Sequence, residues 1–316
     1  MHAIAMQAQK VQDTAVAATC ALHLGHLYYL GGDYAAARAC LAQAQNGFAH
    51  LQDQQGQARA LNIRAWIALR TNHLSEAVEL ATQALSLLAE HDSERANSFY
   101  TLGEVAILQQ QWPEAERYLR QSLHLWETAG DKRGVARGLR NLGPVLVRLN
   151  AFDEAIICYE KAITLFTETE DVPNLAITQM NLGIVYRKSN EPQTALQLYT
   201  QAACVFRNVH DQLNLAKVYT NMGRLLRFLG QYDVAEQLQN EAIALWRKLD
   251  NRKSLCNALD GLGLIFIEQQ CWGKAFDCFQ EALGLLEDFQ EDSAYVELYQ
   301  SLMTHFEEAA LHFKQS

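Results

Sequence analysis

The chain has 316 residues, 49% of them apolar and 20% charged, with a formal net charge of −10. That balance fits a folded water-soluble protein, and 4 Pro and 17 Gly leave little room for a disordered linker. No apolar run approaches the ~18 residues of a membrane span, and the acidic average argues against general affinity for nucleic acid or anionic membrane.

The N-terminal stretch MHAIAMQAQKVQD lacks the basic start and apolar core of a secretory signal. Residues 1–17 read as an N-terminal helix or the remnant of a preceding repeat. From residue 18 to 290 the chain repeats itself in seven windows: 18–57, 58–95, 96–135, 136–175, 176–215, 216–255 and 256–290. Each window has a small residue in a predicted first helix: Gly25, Ala65, Gly103, Gly143, Gly183, Gly223 and Gly263. The last five are 40 residues apart, and the step from Ala65 to Gly103 is shortened to 38. Twelve residues after each stands an alanine: Ala37, Ala77, Ala115, Ala155, Ala195, Ala235 and Ala275. Seven residues further comes Ala44, Ala84, Ser122, Ala162, Ala202, Ala242 or Ala282. Small residues on two antiparallel helices let the backbones approach while bulky neighbours fill the grooves.

Two bulky series accompany the small ones. Tyr34, Leu74, Trp112, Phe152, Tyr232 and Trp272, with Pro192 as the exception, stand where each second helix begins. Phe48, Leu88, Trp126, Phe166, Phe206, Trp246 and Leu286 stand near its end. Four of the five Trp thereby fall at expected core positions. Pro113, Pro173 and Pro192 fall at predicted helix starts, where a missing N–H costs little. Turn residues (Gly31-Gly32-Asp33, Asn150, Asn190, Gly230-Gln231) separate the helices of a hairpin. Asp13, Asp53, Asp131, Asp171 and Asp211 precede first helices and are expected to cap them. The seven Cys form no CxxC pair; Cys40, Cys158 and Cys278 share one repeat position, as packing residues, and reduced thiols in the cytoplasm are expected. Residues 291–316 are expected to form a C-terminal cap, with 293–313 as one long amphipathic helix covering the last hairpin.

This pattern resembles the tetratricopeptide repeat family over nearly the whole chain, in stretches such as NLGIVYRKSNEPQTALQLYTQAACVF and NMGRLLRFLGQYDVAEQLQNEAIALW. The 40-residue period is similar to the repeats of spindle-orientation scaffolds, kinesin light chains and the sensor regions of bacterial multidomain NTPase regulators. The resemblance implies an all-α fold: a right-handed superhelical solenoid of about seven hairpins plus the cap, with first helices lining a concave face.

Across the seven first-helix windows there are eleven basic and three acidic residues. Position in the repeat places Arg137, Arg140, Arg148, Arg187, Lys188, Lys217, Arg224 and Arg227 on the groove face of repeats four to six. Arginine grips carboxylates through its planar fork, so an acidic peptide or protein segment is the expected partner there. The competing reading pairs these arginines with neighbouring acids. Toward the N-terminus, His26, Tyr29, Asn62, Trp66 and Tyr100 take groove positions beside Arg59. Exposed aromatics with Arg are typical anchors, although Trp66 would serve equally well packed between first helices. Asn141, Asn181 and Asn221 recur one repeat apart, either tying neighbouring helices together or, as in the related scaffolds, gripping a peptide backbone. Pro144 lies inside a predicted first helix and removes the hydrogen bond to the carbonyl of Arg140.

No phosphate-binding loop, HExxH or GxSxG motif is present. The ten His are scattered, and no Cys has an evident His partner. No enzyme activity, cofactor or metal is therefore expected. Nucleic acid ranks well below protein as a ligand, because base-stacking aromatics are not interleaved with the arginines of repeats four to six. Two roles remain open: a free-standing adaptor, or the sensory or inhibitory arm of a larger assembly such as an NTPase regulator, protease or transcription factor.

Overall fold

The computed structural model describes residues 2–286 and 296–313, with side chains from residue 10 onward. Among them are fifteen α-helices and no strand. They fall into two compact units, residues 1–169 and 170–316. The first holds α1 (His2–Leu30), α2 (Tyr34–His50), α3 (Gln54–Arg70), α4 (Leu74–Leu87), α5 (Arg95–Leu108), α6 (Trp112–Ala129), α7 (Lys132–Arg148) and α8 (Phe152–Glu168). The second holds α9 (Val172–Lys188), α10 (Pro192–Asn208), α11 (Gln212–Phe228), α12 (Tyr232–Lys248), α13 (Arg252–Glu268), α14 (Trp272–Gly284) and α15 (Val296–Phe313).

The predicted punctuation sets these boundaries. Every even-numbered helix up to α14 begins at the bulky residue of the first series, Pro192 included. Each hairpin turn contains one residue in the left-handed region, among them Gly32 at φ 80°, Asn150 at 62° and Gly230 at 73°. Asp53, Asp131, Asp171 and Asp211 accept from the backbone N–H three residues on, at 2.9–3.3 Å, and so cap α3, α7, α9 and α11. Asp33 and Asn251 do the same for α2 and α13. Such a cap contributes about 1 kcal/mol. Asp13 does not cap: α1 runs through it without a break, so the expected boundary at residue 17 does not interrupt the helix. Gln12 is helical, whereas Asp53, Asp131, Asp171 and Asp211 each follow a residue with positive φ that ends the preceding helix.

The seven alanines of the first small series and the seven residues of the second are fully buried. The late bulky series is buried too, from Phe206 and Leu286 at 0% exposure to Leu88 at 7%. A fully buried Phe such as Phe206 contributes roughly 1.5–3 kcal/mol. The early series is only half-buried, which corrects the assignment of Trp112 and Trp272 to the core. Trp112 lies under the guanidinium of Arg148, 5.5 Å from the ring centroid, and Trp272 stacks on His312 of α15 at 4.3 Å. The close approach is tightest at Gly143, where any Cβ would run into the ring of Tyr159.

Within each unit the odd-numbered helices touch one another as well as their hairpin partners: α1, α3, α5 and α7 in the first, α9, α11, α13 and α15 in the second. The even-numbered helices are instead bridged by ion pairs, Arg38–Glu76 and Arg120–Glu154 at 2.6 Å among them. The odd helices are thus the crowded inner side of each unit. The expected 293–313 helix is present from Val296 to Phe313; its first three residues lie outside the described residues. It packs Phe306 on Phe276 and directs His305 to Asp260 at 2.7 Å.

Candidate binding faces

In the first unit, α1, α3, α5 and α7 build a face of aromatic and charged groups. Tyr29 and His26 of α1 lie against Trp66 of α3, with ring centroids 6.0 and 6.3 Å away. The Trp66 Nε1 is buried without a hydrogen-bond partner. Arg70, one turn along α3, lies beside Tyr29, whose hydroxyl raises the guanidinium pKa. Burial, and then His23 and Arg137, lower that of His26. Asn141 of α7 donates to the Tyr100 hydroxyl at 2.7 Å and to the Glu104 carboxylate at 3.0 Å. Burial pushes the Glu104 pKa up, while Arg70, Asn141, Arg140 and Tyr100 pull it down. Of these groups, Arg70, Glu104 and Asn141 line a concavity of about 420 Å³ whose apolar walls include Ile107, Leu108 and Pro144. Helix α7 continues through Pro144, which is exposed.

Several expected groove residues are committed elsewhere. Asn62 is fully buried; it donates to Glu94 at 2.9 Å and accepts from Ser98 at 2.7 Å, clamping α3 to α5. Tyr100 is 6% exposed and packs on Trp126. Both are therefore core groups and not groove contacts. Arg59 pairs with Glu94 at 3.5 Å. Arg137 lies over Trp126 and Tyr100, 5.4 and 5.8 Å from their centroids, with its Nε buried and unpartnered.

In the second unit, α9, α11 and α13 line a concavity of about 370 Å³. Asn181 and Asn221 enter it one repeat apart, with Lys217, Arg224, Ser254 and Asn257 around them. Unlike Asn141, neither amide is spent on another group among the described residues. Lys217 is exposed, and its Nζ reaches only its own helix, at Asn214 Oδ1, 3.4 Å away. Arg224 donates to the Asn257 carbonyl at 3.1 Å. Burial lowers its pKa, Asp260 opposes that, and Arg187 and Arg227 add to it. Arg227 pairs with Glu268 at 3.1 Å. Arg187 lies beside Tyr199, whose hydroxyl burial pushes up to about 12. Lys188 is exposed.

The eight basic residues expected on one groove thus divide. Arg137, Arg140 and Arg148 belong to the first unit, the other five to the second. Glu104, Ser254 and Asn257 were not anticipated. Asn257 stands 40 residues after Lys217 and Ser254 40 after Asn214, so the repeat register carried a signal for both. No group of three metal-ligating side chains occurs among the described residues, and no helix there is long and apolar enough to cross a membrane.

A tetratricopeptide repeat model matches residues 94–168, 145–208 and 214–288, more than half of the chain, and a second matches residues 18–43. The chain belongs to the tetratricopeptide repeat family. No curated protein matches the sequence. Solved structures share the fold. The apo quorum sensor NprR of B. thuringiensis superposes with a TM-score of 0.70 at 15% identity, over 92% of this chain and 81% of that one. NprR in complex with its cognate peptide NprX gives 0.67 at 17%, over 93% and 84%. A signal-transduction ATPase with numerous domains from Pyrococcus horikoshii, which carries a tetratricopeptide repeat sensor, gives 0.71 at 14%, over 92% of this chain and 43% of that one.

Proposed function

We propose that this repeat protein is a peptide-binding module, and that the α9–α11–α13 face takes an acidic segment in extended form. The observation that carries this is the pair of open amides, Asn181 and Asn221, one repeat apart in one concavity. A side-chain amide both donates and accepts, which suits a peptide backbone. Lys217 and Arg187 supply charge for acidic side chains on the same inner side. That one of the superposable structures is a complex with a peptide supports the reading.

An array of acidic peptides read at low and high salt supplies the binder. Each amide–backbone bond contributes about 0.5–1.5 kcal/mol, so the Asn181→Ala/Asn221→Ala double variant should bind about 5- to 150-fold more weakly. Lys217→Glu should weaken binding most at low salt. Unchanged affinity in both variants would refute the assignment. A regulatory arm of a larger assembly is the second reading, favoured by the match of nearly all of this chain to less than half of the sensor-bearing ATPase. Co-purification with an effector subunit from the native source would support that role; a lone peptide partner would oppose it.

A further inference from the structure

We infer that the concavity of the first unit is a second, separate site, built for a zwitterionic small molecule with an apolar side chain: a free apolar α-amino acid. The α3–α5–α7 face presents a guanidinium, a carboxylate and an amide from three successive first helices, at Arg70, Glu104 and Asn141. The opposite charges lie close enough that Arg70 is the leading charge acting to keep Glu104 ionised. They do not form a direct ion pair: Arg70 lies beside Tyr29, and Asn141 donates to the Glu104 carboxylate at 3.0 Å. Both charged groups line the cavity, and a neutral amide positions the carboxylate.

A ligand carboxylate meets Arg70 and a ligand ammonium meets Glu104. An anion alone leaves Glu104 uncompensated, and a cation alone faces Arg70 and Arg140. The walls beyond the charged pair are apolar, and Leu108 is 56% exposed there. A volume of about 420 Å³ lies within the usual range for small-molecule sites, roughly 300–1,000 Å³. Glu104 is the one acidic residue in the first-helix windows of this unit, and it occupies the wall of this cavity.

Titration calorimetry of the whole chain with L-leucine and L-phenylalanine tests this, beside L-leucine amide, which lacks the carboxylate, and N-acetyl-L-leucine, which lacks the ammonium. At least one free amino acid should bind, and both blocked leucines should bind about tenfold or more weakly than leucine. Arg70→Met should erase the preference for leucine over its amide. Glu104→Gln, which keeps the oxygen that accepts from Asn141, should erase the preference over N-acetyl-leucine. Absence of heat from every free amino acid at about 10 mM would overturn the assignment. Equal binding of the blocked and free leucines to the wild-type chain would do so as well, without relying on any variant.

Discussion

Gln239 of α12 is fully buried, and neither end of its amide has a hydrogen-bond partner. It packs against Gly223 and Gly261 in the interior of the second unit. The equivalent residues of the other glycine-anchored repeats are Leu41, Leu119, Tyr159, Tyr199 and Phe279, each facing the anchor glycine of its own hairpin. An unsatisfied buried polar group costs about 1–3 kcal/mol. Leucine fits the same geometry elsewhere: Leu119 Cγ stands 2.9 Å from a Cβ built on Gly103, and Gln239 Cγ stands 2.8 Å from one built on Gly223. Gln239→Leu should therefore stabilise the second unit by about 1–2 kcal/mol. Urea unfolding followed by tryptophan fluorescence reads this, since Trp246 is 2% exposed and bonds Thr220 within the same core. The midpoint should rise with the slope unchanged. Gly261 supplies an internal check. A Cβ there would run into the Gln239 amide nitrogen, so Gly261→Ala should destabilise the wild type more than the Gln239→Leu background. A Gln239→Leu variant less stable than wild type by more than about 1 kcal/mol would refute the reasoning.

Glu104 makes a pH prediction. Its folded pKa is raised by burial above the ordinary carboxylate value, so protonation favours the folded state. That contribution is complete below the ordinary carboxylate pKa and is lost as pH rises through the raised one. Glu104→Gln should stabilise the first unit at neutral pH, with the gain shrinking in acid; a gain that grows on acidification would contradict the assignment. The thiols should divide by exposure. Cys20, Cys204 and Cys271 are exposed and should react with a thiol reagent in the native protein. Burial pushes Cys158 and Cys256 up to about 11, and these should react only after unfolding.

The fold was legible because its determinants are local and periodic. A bulky residue such as Phe152, a left-handed turn residue such as Asn150 and a cap such as Asp171 each act within a few positions of themselves, so reading along the chain finds them. The binding faces were less legible because the fate of a polar side chain there depends on a neighbour about 40 residues away. Arg227 is committed to Glu268, 41 residues on, and Asn141 to Glu104, 37 residues back. The same asparagine position is thus closed in the first unit and open twice in the second. Composition gave the basic excess of the first helices, but not which cations are already engaged with Glu94, Glu268 or the ring of Trp126. Asp13 fails as a cap for a local reason that the spacing concealed, since its helix has no turn residue before it.

The side-chain amide signals of the asparagines test the central claim most directly. On titration with the tightest peptide from the acidic array, the Nδ2 resonances of Asn181 and Asn221 should shift, and that of Asn141, held by Tyr100 and Glu104, should stay in place. A saturated complex in which Asn181 and Asn221 do not move would contradict the account.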